Sequence, residues 1–357
     1  MKYSVGIIVG LVVLVGGWYF VTGNTERGSD ASADGLAIAT SFYPLQFALE
    51  GIVGDMGTVA NIGAGRDPHD FEPSTQDMVT LQRADLVVLQ GADFEPWGHD
   101  VKSRLESDGV RVAIATADIE LHEGGHAHDD HGDEHGADES HNDDHTEESH
   151  DEEHAHDDEH SDEQDHAEES HDEDQMHSDD HDHDHGAYDP HTWLSPVLFS
   201  QMIDHVTKEV IAVDPTNAAT YEANADALKL ELATLDAEYT DRLASCTLDE
   251  VITSHDAFGY LADEYSFSVH AIAGLSTQDT PSVTTLADLR AEAKEGIGAI
   301  LLEENSITAY GETLARETGL QTLSINPITS VVPAGEDYFS LMRANLDTFA
   351  TALACDV

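Results

Sequence analysis

Basic residues are scarce in this chain: 14 Lys and Arg stand against 73 Asp and Glu, a formal net charge of −59 with His neutral. Nucleic acid and anionic membrane surfaces both require a basic patch, so this shortage argues against them as partners. It suits a cation as ligand, and equally a salt-adapted acidic surface; net charge alone does not separate the two. Cysteine is nearly absent. Cys246 and Cys355 are the two present, far apart in the chain. In an exported protein an even pair reads as a disulfide, here closing a loop of about 110 residues, with two buried thiols as the alternative. Long apolar runs are also lacking, with one exception. Val5 to Val21 (VGIIVGLVVLVGGWYFV) follows Lys2 and is short for a membrane span. No Cys follows it, so a lipid-attachment motif is missing. Residues 1–21 are expected to be a signal peptide or a retained N-terminal membrane anchor, residues 22–35 a linker, and the remainder extracytoplasmic.

Histidine, by contrast, is abundant and concentrated. The stretch His122 to His185 holds 17 of the 23 His and 29 of the 73 acids, with no Lys or Arg. It carries too little apolar surface to offset its ordering entropy, so residues 122–187 are expected to be a disordered insertion. Imidazoles beside carboxylates accept first-row divalent metals, which gives many weak auxiliary sites: His126, His128, His131, His154, His156, His181, His183 and His185. The remaining sequence still carries 44 acids against 14 bases.

The rest of the chain alternates between strand and helix patterns. Strands are expected at 36–42, 58–63, 84–91 and 110–115, with helices over 44–53, 74–84 and 97–107. This predicts a first α/β lobe at 36–121, completed at 188–213 beyond the insertion, with a mostly parallel sheet. Residues 214–245 contain a long helical pattern over 216–244. Its stripe is Tyr221, Leu228, Leu232, Leu235, Tyr239 and Leu243, broken only at Ala225. A rigid strut is expected. Residues 246–357 alternate again, with strands at 249–254, 267–274, 298–304 and 320–325 between helices, and form a second α/β lobe. The predicted fold is two α/β lobes joined by one long rigid helix.

Six His lie outside the insertion, at positions 69, 99, 191, 205, 255 and 270. His69 and His255 each follow a strand, where open α/β sheets bind ligands. His191 lies where the insertion re-enters the fold. Three neutral imidazoles with an open fourth position suit Zn2+. His99 and His205 read as surface residues on helices, and His270 as a half-buried strand residue.

The segments TSFYPLQFALEGIVGD, GRDPHDFEPSTQDMVTLQRADLVVLQGADFEPW, DPHTWLSP and SHDAFGYLADEY resemble the metal-binding solute-binding proteins of bacterial ABC importers. The zinc-importing, ZnuA-like branch is the nearest, and the likeness runs from about Leu36 to the C-terminus except at the His-rich stretch. The resemblance implies His69, His191 and His255 as zinc ligands. It implies a fourth position filled by Asn326, Glu303 or water, since SINPIT places Asn326 where many relatives carry Asp. It implies the Cys246–Cys355 disulfide, Zn2+ as transported ligand, an ABC permease in the membrane as partner, no organic substrate, no enzymatic activity and a monomeric chain. On that reading the His-rich stretch gathers or senses metal beside the cleft and passes it toward His191. The alternatives are a metal-buffering or storage protein acting through that stretch, a manganese-binding importer component, and a zinc hydrolase. The hydrolase lacks any motif for a general base.

Overall fold

The computed structural model describes residues 35–91, 94–123, 188–293, 296–303, 308–329 and 332–356. The apolar N-terminal run, most of the linker, and the eight auxiliary His from His126 to His185 lie outside these residues.

The first lobe runs β1 (Leu36–Thr40), α1 (Tyr43–Val53), β2 (Gly57–Asn61), α2 (Thr75–Arg83), β3 (Leu86–Leu89), α3 (Gly98–Ser107) and β4 (Arg111–Ile114). Every strand pair is parallel, in the order β2-β1-β3-β4. All four residues of β3 (LVVL) are buried. A strand covered on both faces reads as a continuous apolar run for this reason. Pro44 in the first turn presets the opening of α1. A capping box starts α2: Ser74 Oγ accepts from the Asp77 N–H, and Asp77 accepts from the Ser74 N–H.

Two long helices follow, α4 (Pro196–Val213) and α5 (Ala218–Leu243). The 26 residues of α5 span about 39 Å at 1.5 Å per residue. Its first expected residues form a 3-10 turn, Pro215–Asn217, instead. The break in the stripe at Ala225 is not a break in packing, because Ala225 is itself buried. Against α1 the approach is so close that a Cβ on Gly51 would lie 2.7 Å from the Leu228 side chain.

The second lobe runs β5 (Glu250–Thr253), α6 (Gly259–Tyr265), β6 (Ser268–Ala271), α7 (Val283–Glu292), β7 (Ile300–Glu303), α8 (Thr308–Thr318), β8 (Thr322–Ile325) and α9 (Tyr338–Ala352). Its sheet is again parallel, in the order β6-β5-β7-β8. The two lobes thus repeat one strand order. Cys246, just past α5, is bonded to Cys355, just past α9. Tyr239 of α5 donates to the Met342 carbonyl of α9 at 2.7 Å. One apolar cluster extends through both lobes, from Leu36 and Val88 through Tyr221 and Leu235 to Leu301 and Phe349. Among the described residues no helix is long and apolar enough to cross a membrane.

Candidate metal centre

The carboxyl ends of the two sheets carry the residues that meet between the lobes, as expected for open parallel sheets. After β2 the chain forms the loop bearing His69. After β5 it reaches His255 within two residues. His191 lies just before the 3-10 turn Thr192–Leu194 that leads into α4. Among the described residues these three His form the one group of potential metal ligands, with a ligand nitrogen from each lying within 4.8 Å of the others. The Nε2 atoms of all three are buried and lack a hydrogen-bond partner. Burying a polar atom unpaired costs free energy, so three such atoms facing one another call for a common partner.

In two of the rings the opposite nitrogen is committed. Nδ1 of His191 lies 2.8 Å from Asp189 Oδ1, and Nδ1 of His255 lies 2.6 Å from Glu303 Oε1. A carboxylate on Nδ1 fixes the tautomer with the proton there and leaves the Nε2 lone pair for a metal. Burial, then the neighbouring His191 and His255, hold His69 down at about 3. Burial keeps His191 well below the ordinary histidine range. Burial opposes charge on His255 most strongly, but Glu303, together with Asp67 and Asp256, raises that residue above its ordinary value.

The surroundings position these rings. Asp67-Pro68-His69 and Asp189-Pro190-His191 make the same turn: the Asp Oδ1 accepts the His backbone N–H, at 3.1 and 2.9 Å. Gln90, just past β3, donates to the Pro190 carbonyl at 2.7 Å and to Thr192 Oγ1 at 2.9 Å. Glu95 is buried, and burial raises its pKa; it accepts from Ser41 and from the Gln90 and Gly91 N–H groups. That anchors the loop whose Phe94 ring meets His69 edge-on at 4.9 Å. Trp193 is fully buried, and its Nε1 donates to the Pro327 carbonyl of the second lobe at 2.8 Å.

The two side chains considered for a fourth position are engaged elsewhere. Glu303 sits behind His255, on its Nδ1 side. Asn326 Oδ1 accepts the Ile328 N–H at 2.7 Å and shapes a turn that holds Ile328 at φ 59°. His99 is exposed on α3. His205 pairs with Asp118 at 2.9 Å, and His270 lies between Glu250 and Glu292, 3.3 Å from each. Sequence reasoning passed over Asp67, Asp189 and Tyr260. The repeated D-P-H triplet was the available signal for the two acids.

Residues 38–352 match the family described as zinc-uptake complex component A, periplasmic. The zinc-binding protein AdcA of Streptococcus pyogenes is 31% identical over 355 residues, covering 98% of this chain but 61% of that protein. The chain therefore spans about three fifths of the length of such relatives. The high-affinity zinc uptake system protein ZnuA of Bacillus subtilis is 32% identical over 336 residues, covering 92% of this chain and 91% of its own length. The Zn(II)-bound ZnuA-like domain of Streptococcus pneumoniae AdcA superposes with a TM-score of 0.64 at 29% identity, covering 89% of this chain and 99% of the domain. The family is named for a component of zinc uptake, not for an enzyme. With two parallel-sheet lobes, a long connecting helix and a match over 38–352, the chain belongs to the ZnuA family of zinc-uptake components.

Proposed function

We propose that this protein captures Zn2+ between its lobes, outside the cytoplasm, and delivers it to the membrane permease of an ABC importer. The observation that carries the reading is the set of three buried, unpartnered Nε2 atoms of His69, His191 and His255. Neutral nitrogen ligands suit Zn2+, whereas Mn2+ favours oxygen donors. Support for the route comes from the apolar run at residues 5–21 and from relatives named for zinc binding and zinc uptake. Calorimetric titration with Zn2+ tests it, with Mn2+ as competitor. His69→Ala, His191→Ala and His255→Ala should each remove the tight site and leave weak binding. A tight site unchanged in all three variants would sink the assignment.

A further inference from the structure

One phenol ties the chain entering and leaving the His-rich stretch to the opposite lobe. Tyr260, in the first turn of α6, is buried. Its Oη donates to the Asp189 carbonyl at 2.8 Å and accepts the His122 N–H at 3.0 Å. Its ring lies against the His122 imidazole, with centroids 4.3 Å apart and planes 32° apart. His122 and Asp189 are also joined to each other. The Asp189 N–H donates to the His122 carbonyl at 2.9 Å, and Glu123 and Tyr188 form an antiparallel bridge beside them. These four residues form a short stem, and Tyr260 is where the second lobe grips it.

The grip falls on a residue that already holds a proposed metal ligand. The Asp189 carboxylate takes both the backbone N–H and Nδ1 of His191. Tyr260 itself follows His255 by five residues, on the segment that leaves the second sheet. One connected path therefore runs from the His255 segment through the Tyr260 phenol and Asp189 to His191. Burial, the largest cause, pushes the phenol up to about 12. It therefore remains a donor at neutral pH.

We infer that Tyr260 is a positioning residue: by fixing the Asp189 peptide from the opposite lobe it holds His191 in the metal centre and sets how long a captured zinc ion stays. This rests on the zinc-capture reading above. Without the phenol oxygen, the Asp189 carbonyl and the His122 N–H lose their shared partner. The peptide that aims the Asp189 carboxylate then gains freedom to turn, and the His191 ring turns with it.

The test uses the full chain and Tyr260→Phe, which keeps the ring against His122. Protein loaded with one equivalent of Zn2+ is mixed with excess chelator and the release rate is followed. Loss of about one hydrogen bond's net contribution corresponds to release about tenfold faster, with the association rate unchanged. A purely structural role would lower the melting temperature of the zinc-free protein and leave the release rate at the wild-type value; that result overturns the inference. A second measurement needs no variant. In the wild-type protein, hydrogen exchange at the His122 and His191 amides should slow when Zn2+ is added, and equal exchange with and without Zn2+ overturns it too. If the wild-type protein itself fails to hold Zn2+ tightly, the capture reading fails, a result distinct from either of these.

Discussion

Glu303 Oε1 and His255 Nδ1 lie 2.6 Å apart, both buried, at the ends of adjacent strands. The Glu303 N–H is in turn held by Ser254 Oγ at 3.2 Å. The carboxylate therefore orients the ring without standing on its metal-facing side. Glu303→Gln keeps the shape and removes the charge. Zinc affinity should fall by about 10- to 100-fold, the range typical for such supporting partners. Competition titration against a chelator of known affinity measures it, and an unchanged affinity would argue against this role.

The two D-P-H turns predict an order of effects. Asp189→Ala removes the turn and also leaves Nδ1 of His191 buried without its partner, a loss of about 1–3 kcal/mol. Asp67→Ala removes the same turn and a 2.6 Å bond from Thr277 of the second lobe, but no partner of a ring nitrogen. Zinc affinity should therefore drop further in Asp189→Ala than in Asp67→Ala. Titrations that return the opposite order would refute this division of labour.

The disulfide should matter for folding and not for the metal. It closes a separation of 109 residues, for which the chain-entropy model gives about 4–5 kcal/mol. It lies at the amino end of the second sheet, where the Leu248 N–H meets the Leu353 carbonyl, whereas His255 leaves the carboxyl end. Replacing both cysteines by Ser should lower the denaturation midpoint substantially and change zinc affinity by less than about twofold, the limit of a residue pair with no shared contacts. A large loss of affinity in a still-folded variant would contradict it.

A pH effect is expected at the corner between α4 and α5. Asp214 Oδ2 accepts from Tyr221 Oη and Asn217 Nδ2, each at 2.7 Å, and Oδ1 accepts the Thr216 N–H. The Tyr221 bond leads the causes that hold this carboxyl below the ordinary range. A lowered folded-state pKa means that the stabilisation is complete above the ordinary value of about 3.9 and is lost as pH falls through the folded value. Discounted for solvent screening, Asp214→Asn should cost about 1 kcal/mol at neutral pH. The gap between variant and wild type should close as pH falls through that folded value. Urea midpoints measured at both ends decide it: a constant gap counts against the linkage.

Much of this arrangement was legible in the residues themselves. Continuous apolar runs such as LVVL marked doubly covered strands, and the spacing from Tyr221 to Leu243 marked the long helix. His69 and His255 could be placed because strand ends in parallel sheets converge on one edge. What stayed hidden depended on which strands become neighbours. Glu303 meets His255 across 48 residues because β5 pairs with β7, and no local pattern encodes that pairing. Asn326 drew attention as a possible ligand because of its place in SINPIT, yet its amide answers a local need, the backbone N–H of Ile328. Tyr260 lacked any signal in sequence, since its partners His122 and Asp189 are separated from it by 138 and 71 residues.

The apolar cluster that passes through both lobes has a thermodynamic consequence. Two lobes with separate cores would melt as two units, each insensitive to damage in the other. Each lobe has a smaller cluster of its own, but Phe349 of α9 and Leu49 of α1 belong to a larger shared one, joined through Tyr221, Leu232 and Leu235 of α5. The lobes should therefore unfold in a single cooperative transition, with one calorimetric peak whose enthalpy matches the van't Hoff value. A cavity cut at Phe349 should weaken amide protection around Leu49 as well, because the protein opens as one unit.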